Sequence, residues 1–234
     1  MSLVAGALSV LAFTALPSGA AAGEPHIKCE SFPCPYTVEG SEVRISELAG
    51  GTVLCTSEAG EGLITQSSTE PTKAQKESTT GILSLTFSGC KEQATIFHFA
   101  CTGPEQASGV IKTGSAVTHN IYLNHAKKQG VLLTDLHVTF TCAGGFARST
   151  ITGNVIGELH ETPCGVATNT IKWNFTAVKH GDQTWKHITG TGTTYDLMIA
   201  TNHVTTPSST TGYETAAVTS TTTLTFTQNV TPTC

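Results

Sequence analysis

"LHVTFTC", residues 136–142, decides the fold class. In an extended chain Leu136, Val138, Phe140 and Cys142 fall on one side, and His137, Thr139 and Thr141 on the other. Alternation of period two marks a strand with one face buried and the other in water. "ILSLTF" (82–87) repeats it, with Leu83, Leu85 and Phe87 opposite Ile82, Ser84 and Thr86. Helical periodicity is hard to find anywhere. Further strands are predicted at 43–48, 51–57, 94–101, 107–113, 116–124, 149–159, 170–179, 183–190, 193–200 and 213–228. Their spacing and the glycine-rich turns between them point to an all-β domain, an antiparallel β-sandwich or barrel.

"IKWNFTAVKHGDQTWKHI" (171–188) reads as a hairpin turning at Gly181 and Asp182. That register sets Phe175 opposite Ile188 and Val178 opposite Trp185, near the tip. Trp185 has two readings: packing against a neighbouring loop, or an aromatic on which a ligand stacks. "SSTEPTKAQKESTT" (67–80) and "TTPSSTTG" (205–212) read as loops. "AAVTSTTTLTFTQNV" (216–230) reads as a strand that closes the sheet, because Leu224 and Phe226 alternate with threonine.

The opening "MSLVAGALSVLAFTALPSGAAAGEPH" carries an apolar run from Leu3 to Leu16, then Pro17 and small residues. This predicts a secretory signal over 1–22, cleaved after Ala22. The run is shorter than the ~20 residues of a bilayer span, and no later segment reaches that length. The remainder divides into a cysteine-containing segment at 23–40 and a single all-β domain at 41–234.

Only 12% of the residues are charged, giving a net charge of −5, and 42 threonines supply much of the polar surface. Such a surface offers no basic stripe to a phosphate backbone, which argues against nucleic acid as a partner.

Eight cysteines, at 29, 34, 55, 90, 101, 142, 164 and 234, follow the signal. An even number in an exported chain predicts disulfides. The spacing favours Cys90 with Cys101, Cys29 with Cys34 and Cys142 with Cys164, leaving Cys55 for Cys234. "SGCKEQATIFHFACTG" (88–103) also holds His98, but a strand at 94–101 turns His98 and Cys101 to opposite faces, so they do not share a metal ion.

Motifs for chemistry are weak. "HETPC" at 160–164 begins like a zincin helix, but Cys164 stands where the second histidine belongs and Pro163 breaks the helix. His119 and His125 would sit ~20 Å apart along a strand. No metal site, cofactor or nucleophile elbow is predicted. Glu158, Glu161, Asp182 and Asp196 are acids without a spacing that marks them as a pair. "AGG" at 143–145 and "TGTGTT" at 189–194 read as turns. Of two sequons, at Asn174 and Asn229, neither is expected to be modified.

"GAAAGEPHIKC" (19–29), "GTVLCT" (51–56), "LSLTFSGC" (83–90), "ACTGPEQASGVIKTG" (100–114) and "TGNVIGEL" (152–159) occur in an order that resembles a loose set of uncharacterised secreted β-rich proteins of soil actinobacteria. The resemblance implies secretion and a β-rich build, and brings no activity or ligand with it. The expectation is a secreted or cell-envelope protein, disulfide-stabilised, that binds or serves as part of the cell exterior, with cell-wall or extracellular polysaccharide as a partner. The alternative is a secreted hydrolase using carboxylates or histidines.

Overall fold

The computed structural model describes residues 25–47, 51–65, 77–78, 80–93, 98–123, 128–142, 147–177, 184, 187–190, 193–196, 201–205 and 210–233. The predicted signal segment 1–22, Trp185, His125, Asp182, Gly144, Gly145 and Cys234 lie outside these residues. The strands are β1 (His26–Cys29), β2 (Cys34–Glu47), β3 (Thr52–Ile64), β4 (Glu77–Ser78) and β5 (Thr80–Ser88). They continue with β6 (Lys91–Glu92), β7 (Ile111–Lys112), β8 (Ala116–Tyr122), β9 (Gln129–Cys142) and β10 (Ala147–His160). The last are β11 (Thr168–Phe175), β12 (His187–Gly190), β13 (Thr193–Asp196), β14 (Thr201–Thr205) and β15 (Thr210–Thr233).

Eight strands close into an antiparallel barrel in the order β8, β9, β10, β11, β15, β2, β3, β5, with β5 pairing back onto β8. Of the two architectures the sequence allowed, the barrel is the one formed. Closure removes the unpaired edges that a sandwich leaves exposed. Two seams are each filled by two short strands end to end. Between β10 and β15, β11 occupies one half and β14 the other. Between β5 and β9, β8 pairs with one half, and β7 with the bridge at Thr113 covers the other.

The alternation read at 82–87 and 136–142 holds. Leu83, Leu85, Phe87, Leu136, Val138, Phe140 and Cys142 are buried in the barrel core. Outward positions such as Thr37, Glu39, Ser84, Thr221 and Thr225 are exposed. Bulges break the phase at Glu42 in β2 and Asp135 in β9, both with positive φ. Such bulges bend a strand and tighten its twist, which an eight-stranded barrel requires. A second cluster, Ile121, Leu123, Leu132 and Ile156, is buried on β8, β9 and β10 apart from the main core.

Residues 23–40 are not set apart, since β2 runs unbroken through Gly40 and Ser41 in the barrel wall. Of the predicted strand at 94–101, the described part carries only a bridge from Ala100 to Lys91. The register predicted for the hairpin at 171–188 does not form, although the chain turns back so that the Thr184 N–H donates to the Thr176 carbonyl at 3.0 Å. Phe175 pairs with Gly157 and Ser220, whereas Ile188 pairs with Tyr195. Phe175 packs its ring over Gly157, where a side chain would collide with it. In the predicted loops, Glu77 and Ser78 form β4 against β1, and Thr210 begins β15. Gly190 pairs with Thr193 across the predicted turn at 189–194.

The cysteine pairing differs from the local expectation. Cys29 joins Cys34, as expected, but Cys90 joins Cys55 and Cys101 joins Cys142. Cys164 is also oxidised, and its expected partner Cys142 is taken. The Cys55–Cys234 expectation falls for the same reason. Cys90 and Cys101 are backbone neighbours, with the Cys101 N–H donating to the Cys90 carbonyl at 3.0 Å. Long-range register then draws their side chains apart. Lys91 pairs with Leu54, bringing Cys90 to Cys55, and Thr102 bridges Thr141, bringing Cys101 to Cys142. The stretch 88–103 is thus stapled to β3 at one end and β9 at the other.

Non-reducing peptide mapping should recover cross-linked peptides for Cys55–Cys90 and Cys101–Cys142 and none for Cys90–Cys101. Replacing Cys101 and Cys142 together by serine should lower unfolding stability by about 4 kcal/mol, the chain entropy of a loop of this length. Equilibrium urea unfolding checks the second outcome.

Candidate ligand-binding cavity

The barrel interior is filled unevenly. Toward the Cys34 end of β2, the Tyr36 ring lies over Gly62, packs on Phe226 at 5.1 Å and donates its hydroxyl to the Ile82 carbonyl at 3.2 Å. Burial pushes the Tyr36 phenol far above its ordinary range, against a smaller lowering by the Thr118 hydroxyl. Further along, a cavity opens with Ala216 and Ala217 of β15 on its wall. About 60 Å³ of it is accessible to the centres of water-sized molecules. One water needs roughly 10–15 Å³ by that measure, so there is room for several such groups. Its wall comes from seven barrel strands. Leu85, Phe87, Leu133, Leu136, Val138, Ile151, Val155 and Phe175 make it almost wholly apolar, with Glu58, Thr113 and Ser220 as its polar members.

Glu58 is the exception that needs explanation. It is 4% exposed, and among the described residues no other carboxylate and no lysine, arginine or histidine is buried. Its position follows from local register. In β3, Val53 and Cys55 point inward, two exposed residues follow, and the inward phase resumes at Glu58. Thr222, Gly40 and Glu58 form one row across β15, β2 and β3. Gly40 leaves the middle of the row empty, because a side chain there would stand 2.6 Å from Glu58 Oε2. The carboxyl group therefore reaches across β2, and the Thr222 hydroxyl donates to Oε2 at 2.9 Å. Ser220 and Thr222 share a further hydrogen bond at 3.1 Å. Oε1 has no partner among the described residues.

An ionised carboxylate here lacks water and a counter-charge. Burial accordingly pushes the Glu58 pKa up to about 7, with the Thr222 hydrogen bond pulling weakly the other way. Near neutral pH the group can hold or release its proton, and among the described residues it is the ionisable group that lines the cavity.

The residues singled out in the sequence are not gathered here. His119 lies half-buried on β8 with Nε2 3.4 Å from Thr134 Oγ1. Desolvation lowers its pKa, against Asp135 acting in the opposite sense. Glu158 pairs with Lys128, and Glu161 with Lys172, both at 2.8 Å on the surface. His160 stands 3.5 Å from Glu161, and the fully exposed Glu161 carboxyl is held below its usual range chiefly by the Lys172 hydrogen bond and charge. No three His, Cys, Asp or Glu side chains among the described residues are placed to hold a metal ion. The signal for Glu58 lay in "TVLCTSEAGEGLI" (52–64), where two glycines follow a glutamate at alternate positions. The phase change between Cys55 and Glu58 concealed it.

Glu58 imposes a pH dependence on folding. Between the model-compound pKa of 4.5 and about 7 the folded chain holds a proton that the unfolded chain releases, so stability falls as pH rises through this interval and levels off above it. The fall is on the order of 3 kcal/mol. His119 acts in the opposite sense, losing stability as pH falls below the ordinary histidine range. Urea unfolding of Glu58→Gln and the unsubstituted chain between pH 4.5 and 8 separates the two. The difference between the proteins should change steadily in favour of the variant as pH rises. No family model matches the chain, and no curated protein or solved structure matches it either.

Proposed function

We propose that this is a secreted, disulfide-stabilised barrel that acts by enclosing a small molecule in its interior. The observation that carries this reading is an apolar cavity within a closed barrel, with a single buried carboxyl group on its wall. Pockets that recognise small molecules combine an apolar lining with a few fixed polar groups. Oxidised cysteines support an oxidising compartment outside the cytosol. No helix among the described residues is long and apolar enough to cross a membrane.

Two other readings have less to support them. Polysaccharide contact commonly uses exposed aromatic platforms. The exposed large apolar side chains among the described residues are Ile82, Phe99 and Val166, on separate segments. Hydrolysis by Glu58 would need a nucleophile or second acid open to the substrate. The hydroxyl nearest its carboxylate belongs to Thr222, which is 1% exposed and does not line the cavity.

Methyl-resolved NMR of the purified protein under xenon pressure and with benzene tests the reading. Saturable shifts confined to Leu85, Leu133, Leu136, Val138, Ile151 and Val155 are expected, with no retention on cell-wall fractions or polysaccharides. An absence of saturable shifts, together with retention on a wall fraction, would replace this reading with the polysaccharide one.

A further inference from the structure

We propose that the molecule held in the barrel is a small hydrocarbon bearing one protonated amine, and that Glu58 is the group that recognises it. The inference rests on the enclosed-ligand reading and adds the chemical class of the ligand.

The argument turns on hydrogen-bond directions. The Thr222 hydroxyl has one proton and gives it to Glu58 Oε2. Ser220 lies behind Thr222, so its proton can support the same chain and leave its own lone pairs for the cavity. Two strands along the wall from Glu58, Thr113 Oγ1 accepts the Leu85 N–H at 2.9 Å and directs its proton to the Leu85 carbonyl at 3.5 Å. With the protons so placed and Glu58 ionised, the polar residues described on the cavity wall, Glu58, Ser220 and Thr113, have acceptors to offer and no free donor. An ammonium group is the matching functional group, with three donors and no acceptor. At pH 8, above the Glu58 pKa, the lone pairs of a ligand hydroxyl find no donor among these groups, and a carboxylate ligand meets Glu58 as a like charge.

Charge supports the same conclusion. A buried ion is retained when it is paired, and truncating or omitting one partner of such a pair is costly. Among the described residues no lysine, arginine or histidine lines the cavity beside Glu58. The amine completes the pair, while the apolar wall accepts the hydrocarbon body. In the free protein the isolated carboxyl answers its desolvation by keeping a proton near neutral pH.

The test uses four probes of one ring size, cyclohexylamine, cyclohexanol, methylcyclohexane and cyclohexanecarboxylate, titrated at pH 8 by NMR into the full protein and into Glu58→Gln. Cyclohexylamine should bind the unsubstituted protein at least about tenfold more tightly than methylcyclohexane, the lower end of measured coupling between close charge pairs. Glu58→Gln should lose that preference, no longer distinguishing cyclohexylamine from methylcyclohexane, and a dispersed NMR spectrum with a cooperative urea transition shows that the variant is folded. Equal binding of amine and alcohol, or an amine preference that survives in the variant, overturns the assignment. If methylcyclohexane also fails to bind the unsubstituted protein, the enclosed-ligand reading itself falls.

Discussion

The pairing of β5 with β8 is the constraint on which the structure depends. Thr80, Gly81, Ile82 and Leu83 meet His119, Thr118, Val117 and Ala116, and these contacts turn an open sheet into a closed wall. Without them the inward faces of β3 and β9 would belong to opposite edges. With them, Glu58 and Val138 look into one space. Gly81 permits the closure, because a side chain there would meet the Leu63 carbonyl at 2.8 Å and the Thr118 hydroxyl at 2.7 Å. The disulfides reinforce this seam from outside the ladder, tying the segment between β5 and β7 to β3 and to β9.

The interior is apolar and the exterior rich in threonine, with Thr221, Thr225 and Thr227 exposed along β15 between the buried Thr222, Leu224 and Phe226. This is the reverse of a lipid-spanning barrel, whose outer face is apolar and whose lumen is wet. One consequence is a large difference in environment across a single strand. Glu61, three residues from Glu58 on β3, is exposed and has water for its charge, whereas Glu58 faces the core and has Thr222.

Fold class was legible because period two survives in the longest stretches, as at 82–87 and 136–142. Strand order was not, since it depends on which edges remain unfilled. Nothing local in "IKWNF" says that β11 occupies half of a seam rather than one arm of a hairpin. Disulfide pairing failed for a related reason. Proximity in sequence identified Cys29 with Cys34, but Cys90 and Cys101 are neighbours whose bonds are decided by β3 and β9. The candidate site was hidden by a break in the alternation of β3. Counting inward from Val53 and Cys55 puts Ser57 and Ala59 in the core and Glu58 in water. The irregular step at residues 56 and 57 reverses that assignment.

β15 pairs with β1, β2, β11 and β14, so residues 210–233 touch strands from both ends of the described chain. During synthesis these residues emerge after the strands they join, and until they do, β2 has one open edge and β11 and β14 have no common wall. The order of synthesis therefore delays closure, and contacts of such long sequence separation form slowly. β15 is in this sense the latch that commits the strands before it to a closed shape.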